Sequence, residues 1–428
     1  MLDKVQVTVL PNGAQVVTAP QPDAESVALG YWVGVGARHE SARNSGICHF
    51  IEHMLFKGTR RRTARDISQA IEGRGGYFNA YTQEDSTCYY ARLPHEKLSE
   101  AFDVLVDMYL EPKFDKSDIE RERGVIVEEL RMYHDQPQYV VQEKLTEALW
   151  PGHALGRPIG GFERTLKSMD SKVLGDFHKR HYQPGATVFA FAGRLEHARA
   201  VELVESYTGK IRLGHPRAFE PVNRSVRPEP MRLERREIEQ VHAAIGFRCF
   251  GRHDNRRFAM RLLNSILGEN MSSRLFQIVR EKHGLAYAVQ SSYQLFDETG
   301  AFTISAGLDR ARAPKALDLI SRELARIRTQ PVNRAELGRA REYLQGQFRL
   351  GLEGTSSQMQ WIGETLTHYG HFVSPDEALA NLMAVTADDL QDVASELFAP
   401  KNMTLSLVVP SKDPATESAW LKNLSAIK

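Results

Sequence analysis

The spacing of apolar residues predicts both strands and helices in the first half of the chain. Residues 27–35 and 89–93 are short and mostly apolar, as expected for buried strands. Residues 48–57, 64–72 and 96–109 carry apolar side chains at intervals of three and four, which places them on one face of a helix. Short strands mixed with long helices favour an α+β architecture, in which helices cover a mixed sheet.

A weak internal repeat indicates that this architecture occurs twice. The sequence ALGY at 28–31 resembles AIGF at 244–247, and LxxFxxxxYxP at 174–184 resembles LxxVxxxxFxP at 390–400. Both pairs are 216 residues apart, which is close to the length of one domain. The same separation places Ser265, Gly268 and Glu269 opposite His49, Glu52 and His53, so the second copy lacks the polar motif of the first.

The length and charge of the chain agree with two globular domains. Its 428 residues predict one domain at 1–212 and a homologous one at 235–428, joined by an Arg- and Pro-rich linker at 213–234. The 55 basic and 54 acidic residues give a net charge of +1. This balance argues against a nucleic-acid partner and against attraction to an anionic membrane.

The cysteines and the apolar runs indicate the compartment. Cys48, Cys88 and Cys249 have no C-x-x-C spacing, which excludes a cysteine-based zinc site and a disulfide scaffold. An odd number of scattered thiols favours a reducing environment. Residues 1–10 alternate like a strand and lack the apolar segment of a signal peptide. No apolar run approaches the ~18 residues of a membrane span, so we expect a cytoplasmic protein without membrane insertion.

The most informative motif is HFIEH at residues 49–53, within a predicted helix. Positions i and i+4 of a helix share one face, so the rings of His49 and His53 can reach one metal ion. Glu52 stands beside them, where its carboxylate could take a proton from an attacking water. The order H-x-x-E-H is the inverzincin signature of zinc hydrolases. The alternative interpretation is a half-exposed histidine pair with a structural role.

A catalytic zinc site usually has three protein ligands. The predicted helix at 118–132 is rich in carboxylates, and Glu122 and Glu129 lie two turns apart on one stripe of it. Glu129 could be the third ligand, while Glu122 could orient a histidine ring. Glu128 is expected on the solvated face. The ordinary alternative is that the whole helix is a solvated, ion-paired surface.

Several motifs in a common order resemble the pitrilysin family of zinc metallopeptidases. The HxxEH motif is followed 76 residues after His53 by Glu129, within ERxVIxxE. Further matching segments are LPNG at 10–13, GGYFNAYT at 75–82, SSRLF at 272–276 and REKxGLAY at 280–287. The likeness covers essentially the whole chain. It is greatest to the branch that contains the mitochondrial processing peptidase β-subunit and its bacterial homologues.

The resemblance implies a role for each residue of the motif. His49, His53 and Glu129 are expected to hold Zn²⁺, with Glu52 as the general base and Glu122 supporting a ligand. It also implies that each domain is a mixed sheet backed by helices, and that the two domains form half of a clamshell.

The resemblance further implies where a peptide substrate binds. A sheet edge beside the metal is expected to pair with the substrate backbone through Asn79, Ala80, Tyr81 and Thr82. Arg280 and Tyr287 match residues that face the zinc site from the opposite domain and bind a carbonyl near the scissile bond. A guanidinium and a phenol both stabilise charge on a carbonyl oxygen. On spacing alone, Arg280 in a surface ion pair and Tyr287 in the core are the alternative.

These observations predict a zinc-dependent endopeptidase that cleaves short or unfolded peptides. Family relatives with four such domains imply that two copies of this chain form a homodimer around a closed chamber. The rival hypotheses are a non-catalytic subunit, like the core proteins of respiratory complexes, and an obligate partner subunit of a processing peptidase. A non-catalytic relative is expected to have lost ligands or the base, and this sequence retains all of them.

Overall fold

The computed structural model describes residue 2 and residues 4–211, 213–214 and 218–411. Parts of the three predicted segments lie outside the described residues. These parts are residues 1, 3 and 212 of the first domain, 215–217 of the linker, and 412–428 of the second domain. The predicted α+β class is confirmed, because long helices accompany two mixed sheets. Within the described ranges, no helix is long and apolar enough to span a bilayer.

The strands of the described residues, in chain order, are β1 (Gln6–Val9), β2 (Gln15–Pro20), β3 (Ser26–Val33), β4 (Tyr77–Thr82), β5 (Thr87–Pro94), β6 (Thr187–Gly193), β7 (Met231–Arg236), β8 (Val241–Cys249), β9 (Ala286–Leu295), β10 (Gly300–Leu308) and β11 (Met403–Pro410).

The α-helices of the described residues are α1 (Ile47–Leu55), α2 (Ala64–Ile71), α3 (Leu98–Leu110), α4 (Lys116–His134), α5 (Pro137–Leu149), α6 (Glu163–Leu166), α7 (Ser171–His181), α8 (His197–Thr208), α9 (Arg257–Asn264), α10 (Ala313–Thr329), α11 (Arg334–Gly351), α12 (Thr355–Tyr369), α13 (Pro375–Ala384) and α14 (Ala387–Leu397). Two segments have wider π-helical turns, Ser265–Glu269 and Phe276–Lys282. The helices and strands predicted from the apolar spacing occur within two residues of their predicted ends. Of the strand pattern at residues 1–10, Gln6–Val9 is a strand, and residues 1 and 3 lie outside the described residues.

Apart from β1, which has no counterpart among the described strands of the second sheet, the two sheets have the same strand order. The first runs β1-β2-β6-β3-β5-β4, and the second runs β7-β11-β8-β10-β9. Each contains one parallel pair, β2 with β6 and β7 with β11, while the other neighbours are antiparallel. Strands β2 and β7 begin 216 residues apart, and so do helices α7 and α14. The repeat seen in the sequence therefore extends through the secondary structure.

The chain folds into two compact units, neither of which is continuous in sequence. Unit 1 comprises residues 1–131, 157–220 and 348–377, and unit 2 comprises residues 132–156, 221–347 and 378–428. Unit 1 thus contains α12 from the C-terminal half of the chain, and unit 2 contains α5 from the N-terminal half. The sequence suggested two contiguous domains instead. Since an apolar helix face has the same local pattern whichever sheet it covers, this arrangement leaves no signal in the sequence.

The sheet of unit 1 is buried on both faces. Alternate residues of a strand point to opposite faces. Leu29 and Tyr31 of β3 accordingly pack in the core that contains α1, α3 and α7, whereas Ala28 and Trp32 pack against α12. In unit 2, α5 covers one face of the second sheet in the same way, through Leu145 and its apolar neighbours.

Gly363 of α12 lies directly against the sheet of unit 1. A Cβ atom added there would stand 2.6 Å from Cε3 of Trp32, whose side chain is fully buried. Because the indole has no space to move, we expect Gly363→Ala to destabilise the protein by about 1–3 kcal/mol. Urea unfolding followed by tryptophan fluorescence measures the change.

Gly338 of α11 provides the matched control for this substitution. A Cβ atom there meets no other group within 4 Å. Alanine has the higher helix propensity, so Gly338→Ala should leave stability unchanged or raise it by up to about 1 kcal/mol. Equal effects of the two substitutions would contradict the close packing of α12 on Trp32.

Candidate metal centre

Helix α1 carries the H-x-x-E-H motif and is anchored by its apolar side. Ile47, Phe50, Ile51, Met54 and Leu55 are all buried in the core of unit 1. The chain enters the helix through a left-handed glycine, Gly46, at φ +94°. A side chain there would collide with the backbone of Gly160 and Gly161, so this entry requires glycine.

A buried carboxylate completes the first turn of α1. Glu40 accepts hydrogen bonds from the backbone N–H groups of Gly46 at 2.7 Å and Cys48 at 2.9 Å. Burial raises the pKa of Glu40 to about 7, and the two N–H groups oppose that rise. Such N–H groups have no partner within a helix, so Glu40 satisfies donors that would otherwise be left unpaired inside the protein.

His49, His53 and Glu129 form one cluster at the surface of unit 1. One potential ligand atom from each of the three residues lies within 4.8 Å of the other two. Nε2 of His49 is 3.8 Å from Oε2 of Glu129, and Nε2 of His53 is 3.6 Å from the same oxygen. These separations are too long for hydrogen bonds. The donor atoms therefore converge without bonding to one another.

This cluster fits a divalent metal ion. Burial lowers the pKa of His49 to about 4, and the neighbouring His53 adds a smaller effect in the same direction. The imidazole of His49 is therefore neutral near pH 7. Two imidazoles and one carboxylate are a common protein ligand set for catalytic zinc. Among the described residues, no other group of three histidine, cysteine or acidic side chains meets the same criterion.

Glu122 connects His53 to a lysine. His53 Nδ1 lies 3.3 Å from Oε2 of Glu122, and Lys57 Nζ lies 2.8 Å from Oε1 of the same carboxylate. Glu122 is only 4% exposed. A neutral His53 that donates its Nδ1–H to Glu122 keeps a lone pair on Nε2, on the side of Glu129. Glu122 therefore fixes the orientation of the ring, and Lys57 compensates the buried charge of Glu122.

Glu52 is held by the neighbouring strand rather than by the cluster. Thr82, the last residue of β4, donates a hydrogen bond of 2.6 Å from Oγ1 to Oε2 of Glu52. Burial raises the pKa of Glu52, and the bond from Thr82 opposes that rise. Glu52 is thus a partly buried carboxylate beside the cluster, with one of its oxygens fixed by a hydroxyl group.

The predicted substrate-binding strand is the last strand of its sheet. Within the described part of the chain, β4 pairs only with β5. Asn79 Oδ1 accepts the backbone N–H of Ala80 at 2.9 Å. The hydroxyl group of Tyr81 donates to Glu364 of α12, on the face of the sheet opposite α1. Of the four predicted strand residues, Thr82 is the one that forms a hydrogen bond with the H-x-x-E-H motif.

Arg280 and Tyr287 lie together in unit 2. The Arg280 guanidinium is 5.3 Å from the centroid of the Tyr287 ring. Tyr287 is 81% exposed, so the alternative in which it is a core residue is wrong. Their role toward a substrate stays a prediction.

The second copy of the fold has a different backbone where the first has its motif. Ser265, Gly268 and Glu269 lie in a π-helical segment, with Gly268 in a non-helical conformation. Glu269 binds the guanidinium of Arg261. The described residues of unit 2 therefore contain no counterpart of the metal cluster.

Three contacts of the site were not found from the sequence. Lys57 follows the motif by four residues, so its helical spacing from His53 was an available signal. Thr82 was identified as a substrate residue, and its bond to Glu52 carries no signature in the sequence. Glu40 lies outside every motif, and only the folded chain brings it to the start of α1.

Two family models match consecutive parts of the chain. Residues 15–162 match the family model described as Insulinase (Peptidase family M16), and residues 168–344 match the one described as Peptidase M16 inactive domain. An uncharacterized zinc protease of Streptomyces coelicolor is 38% identical over 415 residues, which cover 96% of this chain and 90% of that protein. The uncharacterized zinc protease YmxG of Bacillus subtilis is 34% identical over 404 residues, 94% of this chain and 97% of that protein.

Solved structures share the fold. A protease from Helicobacter pylori superimposes with a TM-score of 0.88 at 21% identity, covering 96% of this chain and 100% of that one. A peptidase M16 inactive domain from Pseudomonas fluorescens gives a TM-score of 0.88 at 19% identity, covering 95% of this chain and 98% of that one.

The cluster predicts a graded loss of metal affinity along α4. Glu129→Gln should cause the largest loss, because it removes the charged oxygen that faces both histidines. Glu122→Gln should cause a loss of about 10- to 100-fold, typical for a residue that orients a ligand. Competitive titration with a zinc chelator measures the affinity of both variants.

Glu128→Gln is the matched control. The Glu128 side chain is 71% exposed and pairs with Arg131, so its loss should leave metal affinity unchanged. A larger loss at Glu128 than at Glu129 would show that the wrong face of α4 has been assigned to the metal.

Proposed function

Because the chain belongs to the M16 peptidase family, we propose that it is a zinc-dependent endopeptidase that cleaves short or unfolded peptides. The observation that carries this proposal is the convergence of His49, His53 and Glu129, with Glu52 fixed beside them by Thr82. Relatives that match nearly the whole chain are named zinc proteases, which supports the same metal and reaction.

His49, His53 and Glu129 would hold the zinc ion. When bound, zinc supplies a Lewis acid that polarises the scissile carbonyl and lowers the pKa of water. Glu122 keeps the Nδ1 proton of His53 in place, so that Nε2 remains available. Lys57 Nζ, 2.8 Å from Oε1 of Glu122, places a positive charge beside this carboxylate.

Glu52 is the general base of the proposed reaction. Its carboxylate accepts a proton from the attacking water and then delivers it to the leaving amine. Thr82 donates to one oxygen of Glu52, which leaves the other oxygen to handle the proton. Because the hydroxyl group is part of β4, the strand that receives the peptide also orients the base.

The free edge of β4 supports a preference for extended peptides. A peptide that adds a strand to a sheet edge binds mainly through its backbone, with little demand on sequence. The side chain of Asn79 accepts the backbone N–H of Ala80, and a substrate strand would have to displace this side chain. A folded protein cannot offer an extended segment of this kind, so short or unfolded substrates are favoured.

The complete set of residues favours an enzyme over a non-catalytic subunit. A chain with a purely structural role has no need for a base, an orienting carboxylate and three converging ligand atoms. We also propose that the chain is a homodimer in which Arg280 and Tyr287 of one protomer serve the zinc site of its partner. The exposure of Tyr287 and the adjacent Arg280 guanidinium support this assignment.

Glu52→Gln should reduce peptide hydrolysis by about 10²- to 10⁴-fold, the usual effect of losing a general base. The zinc content should stay near one ion per chain, because Glu52 is not a ligand. Activity on quenched fluorescent peptides and metal analysis of the same preparation measure the two effects. Loss of zinc in step with activity would instead make Glu52 a ligand.

Mixing two inactive chains tests the dimer. One chain carries Glu52→Gln, and the other carries Arg280→Ala with Tyr287→Ala. If the site is shared, random exchange yields about half mixed dimers with one intact site each, or roughly a quarter of the wild-type activity.

Subunit exchange in this experiment is verified with two differently tagged chains. No recovery despite proven exchange would place both parts of each site in one protomer. High activity of the Arg280→Ala/Tyr287→Ala chain alone would remove both residues from the reaction.

A further inference from the structure

A cavity of about 780 Å³ lies within unit 2 and shares no residue with the metal cluster. Its walls are loop 222–228, the end of β8 with the turn after it, the connection between β9 and β10, and residues near the end of α14. Typical small-molecule sites measure about 300–1,000 Å³, so the cavity has room for a ligand of ordinary size.

The walls of the cavity contain more basic side chains than their acidic side chains bind as ion pairs. Five basic side chains reach it, namely Arg224, Arg227, Arg248, Arg256 and Lys401. Arg256 binds both Asp254 and Glu396, so its charge is used within the wall. Among the described residues, Arg224, Arg227 and Lys401 form no ion pair or side-chain hydrogen bond.

The two remaining carboxylates of the wall are also occupied. Asp297 bonds to the His253 ring at 2.8 Å, and Glu298 accepts the backbone N–H of Val222 at 2.9 Å. These bonds hold the wall in place but leave the cations of loop 222–228 uncompensated.

Arg248 differs from the other cations of the wall because it is partly buried and has no carboxylate partner among the described residues. Its half-buried guanidinium donates to two backbone carbonyl groups, those of Leu149 and Val226. Burial lowers its pKa to about 10, and no carboxylate of the described residues pairs with it. A partly desolvated charge without a counter-ion is costly, and an anion in the cavity would remove that cost.

Unit 1 shows what a closed version of this region looks like. Gly36 and Gly251 occupy matching turns, since each packs against the connection between the two strands at its sheet edge. In unit 1, Phe219 covers that turn, with its ring centroid 3.5 Å from the Arg38 guanidinium. In unit 2, the turn after β8 borders the cavity instead.

From these observations, we propose that the cavity of unit 2 binds a small multivalent anion bearing phosphate or carboxylate groups. Arg248 would bind from the floor of the cavity, and Arg224 and Arg227 from the loop. Guanidinium groups suit this role because they present two parallel N–H donors to such an anion. The site is separate from the metal cluster and does not rest on the proposed peptidase activity.

Calorimetric titration of the full chain with inorganic pyrophosphate and with tricarballylate tests the proposal. The test variant is Arg224→Gln/Arg227→Gln, whose side chains are exposed and leave the fold intact. We expect saturable binding of at least one probe, weakened at least about tenfold in this variant, or about 1.4 kcal/mol. Arg334→Gln, an exposed arginine of α11 outside the cavity, is the control and should bind as the wild type does.

Because pyrophosphate also chelates metal ions, the comparison of variants decides the outcome. Binding of pyrophosphate alone identifies a phosphorylated ligand, and binding of tricarballylate as well extends the class to carboxylates. No saturable binding of either probe would overturn the proposal. Equal affinity in the wild type and in Arg224→Gln/Arg227→Gln would overturn it too.

Discussion

The metal site depends on the way in which helix α1 is buried. The apolar side chains of α1 fill the core of unit 1, so the side chains of His49, Glu52 and His53 project toward α4 and β4. The carboxylate of Glu40 satisfies the first turn, which allows the helix to begin inside the protein. Because α1 is fixed in this way, Glu122 and Glu129 of α4 and Thr82 of β4 can contact its polar side chains.

Local features of the sequence predict much of this arrangement. Helical periodicity identifies α1 and α4, and the spacing of His49 from His53 identifies the face that they share. The contact of Thr82 with Glu52 joins two elements across 30 residues of the chain. Glu40 lies six residues before Gly46 but belongs to no periodic pattern, so the sequence does not reveal either contact. The placement of α5 and α12 is hidden for the same reason, because amphipathic helices fit either sheet.

The two copies of the fold have diverged in backbone as well as in side chains. Where α1 continues as a regular helix, the second copy has wider turns, and Gly268 stands where the motif has Glu52. A Cβ atom at Gly268 would stand 2.6 Å from the backbone nitrogen of Ser291. A glutamate at that position would therefore require β9 to move. This part of unit 2 has no space for the general base found in the motif of unit 1.

The presence of α12 in unit 1 affects how the protein folds during its synthesis on the ribosome. The strands of the first sheet are complete at Gly193, but the helix that buries Trp32 ends at Tyr369. During synthesis, one apolar face of that sheet remains uncovered while more than a third of the chain is still to be made. The nascent chain must therefore hold a half-covered sheet, which chaperones or the ribosome surface could shield until α12 emerges.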